Sequence, residues 1–229
     1  MDTVLQELAN DHDPNSALRL TNFPDWLYLL REFDYIYRYG SAGGSKLIRS
    51  HRRHVRQTLS RIIEANAEVC LRQPTPKPVT AHLNRALDLG DRGAVAGISK
   101  ALRNLSGHLA WEYGYEKVPR SLTQKYAYCE IAGPRGPVMT NQIVLGFVLF
   151  APKTTYPQHS HNDIEESYIS VAGSWSENDA AVHAPGSLIL NHPGHEHRIT
   201  TADLEPCLLA YAWLGPEHKL HDPGMKLRR

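Results

Sequence analysis

Three histidines and a glutamate in the last third of the chain have the spacing of a metal site carried on β-strands. His159 and His161 are two residues apart, Glu166 follows closely, and His197 lies in a second histidine cluster about thirty residues farther along. Side chains at positions i and i+2 of a strand point to the same face, so the first two imidazoles can approach one centre. A carboxylate on the next strand and a distant histidine would complete four ligands. The spacing differs from the i, i+4 histidine pair of a helical zinc protease.

The donor atoms of this cluster restrict which metal ions can bind, but they do not identify one. Three imidazoles and one carboxylate are borderline and hard ligands, and no thiolate is among them. Such a set suits one divalent ion of Zn, Fe, Mn, Co or Ni. We therefore expect a single divalent metal ion as the cofactor.

Length and composition indicate a folded protein that acts on a small molecule. The chain has 229 residues, 41% of them hydrophobic, and a formal net charge of +1. A chain of this length and composition can fill a hydrophobic core, and its net charge is too small to attract nucleic acid or anionic lipid.

The three cysteines form no Cys-x-x-Cys pair, which argues against a disulfide framework. No apolar run reaches membrane-spanning length and no signal peptide is recognisable, so we expect a cytoplasmic protein without nucleic-acid or membrane partners.

The apolar spacing changes from a helical to a strand period near residue 124. Before that point, Pro24 begins one predicted helix that ends at Gly40, and Ser45 caps a longer one. Beyond it, short runs such as 156–161 alternate with turn residues, which is typical of a sandwich or small barrel. We predict an α+β protein, in which an α-helical N-terminal extension (1–123) packs on a C-terminal antiparallel β-barrel (124–229).

The two histidine clusters resemble the paired motifs of the cupin superfamily. The first motif, Gly-x5-His-x-His-x(3 or 4)-Glu-x6-Gly, is matched by the two histidines, Glu166 and Gly173. The second, Gly-x5-Pro-x-Gly-x2-His-x3-Asn, is matched by Gly186, Gly194 and His197. Three residues depart from the motifs, at positions that affect turns more than ligands: Lys153, His192 and Thr201.

Two ligand positions stay open at this point. Glu165 could bind the metal in place of Glu166, and His195 could do so in place of His197. Strand alternation and the motif spacing favour Glu166 and His197.

A narrower resemblance comes from two tyrosines that frame the first motif. Tyr156 lies three residues before His159, and Tyr168 lies two residues after Glu166. Together with a helical extension on a single barrel, this pattern resembles the bacterial cupin-type dimethylsulfoniopropionate (DMSP) lyases, in detail over residues 156–197. The resemblance implies that the three histidines and Glu166 hold the metal. It also implies that Tyr168 is the catalytic base and that Tyr156 assists it or holds substrate. Which of the two tyrosines is the base stays open at this point.

The chemistry of DMSP cleavage suits this residue set. A β-elimination to dimethyl sulfide and acrylate must remove a proton beside a carboxylate, and a metal on that carboxylate withdraws the charge that develops. Tyrosine has an ordinary pKa of about 10, and a nearby dication favours its phenolate. Aromatic faces can accept the sulfonium cation. Trp213 and Tyr211, at alternate positions of the last predicted strand, are the candidate substrate-binding residues, with Trp175 less favoured.

Two other hypotheses remain. One is a metal cupin enzyme of another type, such as an iron dioxygenase or an isomerase, and the other is a non-catalytic ligand-sensing cupin. The tyrosine pair favours the lyase, because oxygen chemistry at iron requires open coordination positions and no phenolate base. The helical extension is a candidate cover for the barrel mouth or a candidate face for a homodimer.

Overall fold

The helices lie mainly in the N-terminal half of the chain. A computed structural model describes residues 17–40, 44–115 and 117–224. The described helices are α1 (Pro24–Tyr39), α2 (Lys46–Glu64), α3 (Leu83–Gly90), α4 (Ala96–Leu105), α5 (Arg120–Thr123) and α6 (Glu217–His221). The predicted boundaries are confirmed at three points. Pro24 is the first residue of α1, Gly40 ends it, and the Ser45 side chain caps α2 by accepting a hydrogen bond from the Ile48 backbone N–H.

Most strands follow residue 125 and form two sheets. The strands are β1 (Trp111–Glu112), β2 (Tyr126–Gly133), β3 (Val138–Met139), β4 (Val144–Phe150), β5 (Thr155–His159), β6 (Glu165–Ala172), β7 (Trp175–Glu177), β8 (Val182–His183), β9 (Leu188–Asn191), β10 (His197–Thr201) and β11 (Cys207–Leu214). The larger sheet has the order β1-β2-β4-β11-β6-β9, with β3 paired in parallel to β2. The smaller sheet has the order β5-β10-β7-β8. All other pairings between these strands are antiparallel.

Strand β11 shows why the larger sheet lies between two apolar layers. All eight of its residues are buried, and they alternate between two hydrophobic clusters. Leu208, Ala210, Ala212 and Leu214 join the cluster that contains the helix residues, whereas Cys207, Leu209, Tyr211 and Trp213 join the cluster shared with the smaller sheet. The helices therefore cover one face of the larger sheet, and the smaller sheet covers the other.

The predicted fold class is confirmed: an α-helical N-terminal part packs on mainly antiparallel strands, which in the described residues form two facing sheets where a closed barrel was predicted. The boundary between residues 123 and 124 stays a prediction, and part of each segment, namely residues 1–16, 41–43, 116 and 225–229, lies outside the described residues. Strand β1 precedes this boundary yet pairs with β2. Among the described helices, none has the length and apolar character needed to cross a membrane.

Candidate metal centre

The four predicted ligands come together between the two sheets. His159 ends β5 and His197 begins β10, and these two residues are direct cross-strand partners whose rings lie 4.1 Å apart. Glu166 extends from β6 in the larger sheet. His161 was predicted within the same strand as His159, but it lies just beyond the end of β5. Its loop is held in place because its carbonyl accepts a hydrogen bond from the Gly194 N–H.

The donor atoms of these four side chains are arranged as ligands of one ion. One donor atom from each residue lies within 4.8 Å of the others, and each residue is at most 3% exposed. Within the described part of the chain, His161 Nε2, His197 Nε2 and Glu166 Oε2 are buried without hydrogen-bond partners. His197 Nε2 lies 2.9 Å from Glu166 Oε2, but the two atoms are not aligned as a hydrogen bond. Buried polar atoms that converge in this way fit a bound cation, which would satisfy them together.

Hydrogen bonds behind the cluster orient its ligands. The Nδ1 atoms of His159 and His197 lie 3.0 Å and 3.1 Å from the carbonyl oxygens of Pro157 and His195. A carbonyl only accepts, so each imidazole donates from Nδ1 and presents an unprotonated Nε2 to the centre when it is neutral. The indole N–H of Trp213 donates to Glu166 Oε1 over 2.7 Å, which leaves Oε2 directed at the histidines.

The protonation states also suit a metal site. Burial, followed by the neighbouring His197, lowers the pKa of His159 to about 3, so this imidazole is neutral. Burial works to raise the pKa of Glu166, but His161 and His197 outweigh it and hold that pKa well below its usual range. Burial works to lower the pKa of His197, and Glu166 reverses the shift and raises it. The cluster therefore contains a carboxylate, and a cation would compete with a proton for His197.

The alternative ligands point elsewhere. Glu165 lies on the opposite face of β6 from Glu166, where its carboxylate is 2.9 Å from His51 Nδ1. His195 Nδ1 lies 3.2 Å from Asn191 Oδ1, and the residue is not part of the four-donor group. Both observations favour the ligand set that strand alternation predicts.

The two tyrosines have different surroundings. Tyr168 is two residues from Glu166 on β6 and only 5% exposed, and its ring centre lies 6.1 Å from that of His197. Burial, followed by the charge of Glu166, raises its pKa well above 10. Tyr156 donates its hydroxyl hydrogen to the Tyr115 oxygen over 2.7 Å, and its ring packs against His159. Tyr168 is thus the tyrosine that neighbours the Glu166 carboxylate, whereas Tyr156 is engaged in a tyrosine pair.

A small cavity opens onto the cluster. The centre of a water molecule can move through about 40 Å³ of it. Three of the four candidate ligands and both predicted catalytic tyrosines line it, together with further aromatic and apolar side chains: Tyr126, Tyr128, Val148, Phe150, Tyr211 and Trp213. The cavity therefore joins a polar, charged wall to an aromatic one.

The predicted substrate-binding residues lie on the aromatic wall, on the same face of β11 as alternation requires. Tyr211 pairs across the strands with Tyr168, and Trp213 pairs with Glu166. The Tyr211 hydroxyl is buried and has no hydrogen-bond partner among the described residues. Trp175 lies outside the cavity lining and donates its indole N–H to Ser170.

Tyr115, Tyr126 and Tyr128 were not among the predicted site residues. The last two belong to β2 and line the cavity, and their alternate positions place them on one strand face. Tyr115 comes from the segment before α5, far from any motif, and no sequence signal indicates its contact with Tyr156.

Comparison with known proteins gives consistent matches. The model of the dimethylsulfoniopropionate lyase family matches residues 50–209. A curated protein of Cereibacter sphaeroides, provisionally named dimethylsulfoniopropionate lyase DddL, is 71% identical over 210 residues, which are 92% of this chain and 90% of the relative.

Two solved structures share the fold. One comes from a study of the DMSP lyases RdDddP and RnDddQII and is 21% identical, with a TM-score of 0.63 over 90% of this chain and 98% of that chain. The other is DMSP lyase DddQ from Ruegeria pomeroyi DSS-3, also 21% identical, with a TM-score of 0.61 over 84% of this chain and 92% of that chain. The matches extend across the helices as well as the sheets.

Proposed function

This chain belongs to the dimethylsulfoniopropionate lyase family, and on that premise we propose that it cleaves DMSP to dimethyl sulfide and acrylate as a carbon–sulfur lyase. The observation that supports this proposal most is the buried group of three imidazoles and one carboxylate, which opens onto an aromatic cavity with Tyr168 beside it. A small zwitterion has two ends to hold, and this cavity offers one polar and one aromatic wall.

We propose His159, His161, Glu166 and His197 as the residues that hold the metal. When bound there, a divalent ion supplies Lewis-acid stabilisation to the substrate carboxylate and favours the phenolate of an adjacent tyrosine. Trp213 holds Glu166 by its 2.7 Å hydrogen bond, and the Pro157 and His195 carbonyls hold two imidazoles, so these three ligands would be oriented toward a bound ion.

Tyr168 is the proposed base that removes the proton next to the substrate carboxylate. Burial and the Glu166 charge both raise its pKa, and a dication bound beside it would lower that pKa. A phenolate in this position is a stronger base than a carboxylate, as the weakly acidic C–H bond requires. Tyr156 lines the cavity and already donates its hydroxyl hydrogen to Tyr115, so its oxygen can act only as an acceptor, which suits a supporting role.

The sulfonium group is proposed to lie on the aromatic wall. Tyr211 and Trp213 have ring centres 5.5 Å apart, and Tyr128 meets Tyr211 edge-on at 6.5 Å. The faces of such rings attract a cation without the competing charge of a carboxylate. The Tyr211 hydroxyl, which has no hydrogen-bond partner within the described residues, is available to donate to the substrate carboxylate. In this elimination Tyr168 takes the Cα proton, the electron pair of the C–H bond forms the Cα=Cβ double bond of acrylate, and neutral dimethyl sulfide leaves with the electron pair of the C–S bond.

The direct test is product formation. The purified protein, loaded separately with Zn, Fe, Mn, Co and Ni, is mixed with DMSP without oxygen or reductant, and dimethyl sulfide and acrylate are measured. Equal amounts of the two products are expected. No product with any of the metals would refute the lyase assignment, and turnover of another substrate only with oxygen would favour an iron dioxygenase.

Two variants test the residue roles. Tyr168→Phe should bind metal with wild-type affinity but lose turnover, since it removes only the hydroxyl. If Tyr168→Phe stays active and Tyr156→Phe does not, the base is Tyr156. His161→Ala should lose the metal, whereas the matched control His195→Ala, a neighbouring histidine outside the four-donor group, should keep it.

A further inference from the structure

A buried polar network lies directly behind the proposed metal centre, on the opposite face of β6. His51 on α2 has Nδ1 2.9 Å from Glu165 Oε2 and Nε2 2.8 Å from Ser167 Oγ. The Ser167 oxygen also lies 2.7 Å from the Tyr37 hydroxyl on α1. One imidazole therefore holds two alternate residues of β6, and a second helix holds one of them again.

The inner members of the network are buried beside apolar side chains, whereas its outer member, the Glu165 side chain, is 37% exposed. Tyr37, His51 and Ser167 are at most 2% exposed, and they lie where the helices otherwise pack on the sheet through hydrophobic side chains. A buried polar group costs free energy unless it is fully hydrogen-bonded. Apolar residues at these positions would have been sufficient to pack the helices on the sheet. Where every member is satisfied, such a network fixes one geometry of its surroundings.

The donors and acceptors of this network form a complete chain. Burial, opposed in part by Glu165, lowers the pKa of His51, which is therefore neutral and carries one N–H. The Glu165 carboxylate only accepts, so that N–H is on Nδ1, and Nε2 accepts the Ser167 hydroxyl hydrogen. The Ser167 oxygen is then the acceptor for Tyr37. The order resembles a hydrolase triad, but Ser167 is fully buried and the cavity lies on the other face of the strand, so no substrate can reach it.

The position of the network along β6 gives it a consequence for the site. Glu165 and Ser167 flank Glu166, and Ser167 separates Glu166 from Tyr168. Side chains alternate between the two faces of a strand. Fixing Glu165 and Ser167, which face the helices, therefore fixes the direction of Glu166 and Tyr168, which face the cavity. We infer that His51 is a positioning residue, through which the helical layer sets the orientation of Glu166 toward the metal and of Tyr168 toward the substrate. This inference rests on the proposed function.

The test compares His51→Leu, which removes both hydrogen bonds, with His51→Gln, which can still accept from Ser167. The control is His54→Leu, a change at an exposed histidine three residues farther along α2. Each protein is stripped of metal and titrated with Co²⁺ against a competing chelator, and the visible Co²⁺ spectrum, kcat, KM and the thermal midpoint are recorded.

His51→Leu is expected to bind Co²⁺ about 10-fold more weakly, because groups that orient metal ligands commonly contribute 10- to 100-fold to affinity. Its Co²⁺ spectrum and kcat should change while KM changes little, His51→Gln should be intermediate, and His54→Leu should match the wild type. If His51→Leu lowers the thermal midpoint but leaves Co²⁺ affinity and spectrum unchanged, the residue is merely structural and the inference is wrong.

Two further outcomes are distinguishable. If His51→Leu does not fold, Ser167→Ala removes one hydroxyl at little change in volume, and it must weaken Co²⁺ binding in the same direction for the inference to stand. A wild-type protein that binds Co²⁺ but does not cleave DMSP would refute the proposed lyase activity, while the affinity series would still decide the role of His51 at the metal. A wild-type protein that binds no Co²⁺ would overturn both.

Discussion

Trp213→Phe separates the role of one hydrogen bond from that of packing. The indole N–H donates to Glu166 Oε1 over 2.7 Å, and Trp213 and Glu166 are only 6% and 2% exposed. Phenylalanine keeps an aromatic ring on the cavity wall but removes this donor. The carboxylate then loses the contact that directs its other oxygen at the histidines, so metal affinity should fall.

The magnitude follows from the charge of the acceptor. A hydrogen bond to a charged group contributes about 1.5–3 kcal/mol, and each 1.4 kcal/mol is a factor of ten in affinity. Metal binding to Trp213→Phe should therefore be about 10- to 100-fold weaker, with the lower value if a water molecule replaces the indole N–H. The measurement is Co²⁺ or Zn²⁺ competition against a chelator of known affinity.

The matched control is Trp175→Phe. Trp175 is also buried and also donates an indole hydrogen bond, but its acceptor is the Ser170 hydroxyl, which is not part of the four-donor group. Both variants should lower the thermal midpoint, and only Trp213→Phe should lower metal affinity by an order of magnitude. Equal losses in the two variants, or no loss in Trp213→Phe, would refute the reasoning.

Three other predictions concern the cavity and its ion. Tyr115→Phe removes the acceptor for the Tyr156 hydroxyl, so kcat should fall by about 2- to 10-fold with Co²⁺ affinity unchanged; a change in affinity instead would contradict a supporting role for Tyr156. Gly146→Ala places a Cβ 2.1 Å from the Cys129 carbonyl oxygen and 2.7 Å from the Tyr211 hydroxyl, and chemical denaturation should show a loss of about 1–3 kcal/mol or more. An unchanged free energy of unfolding would mean that β2 and β4 can separate at no cost. Removing the metal by chelation should lower the thermal midpoint by about 5–10 °C, the equivalent of about 2.7 kcal/mol at a hundredfold excess of metal over Kd. A midpoint that stays constant, with loss of the ion verified by elemental analysis, would show that the ion contributes nothing to stability.

Part of the arrangement of the candidate ligands was predictable because it depends on local rules, although His161 lies beyond the strand in which it was predicted. The alternation of side chains along β6 separates Glu166 from Glu165 without any knowledge of the tertiary structure. The same rule places Tyr211 and Trp213 on one face of β11. The start of α1 at Pro24 and the cap at Ser45 are likewise set by the chemistry of a helix N-terminus.

The features that were missed depend on contacts between distant parts of the chain. His51 and Glu165 are separated by 114 positions, and Tyr115 and Tyr156 by 41, so no periodic pattern connects them. Strands β7 and β8 contain only three and two residues, which is too short for an alternation to be recognised. The indole of Trp213 was predicted to meet the substrate, and only the pairing of β11 with β6 reveals that its N–H holds Glu166.

Both faces of the larger sheet are buried, and this limits how the protein can be shortened. With the helices deleted, the outer sides of β2, β4, β6 and β11 would present a broad hydrophobic surface to solvent. Exposed apolar patches beyond a few hundred Å² promote self-association, so the strands alone should aggregate even with every candidate ligand present. A minimal catalyst from this scaffold would need new polar residues on that surface, chosen so that the direction of Glu166 survives.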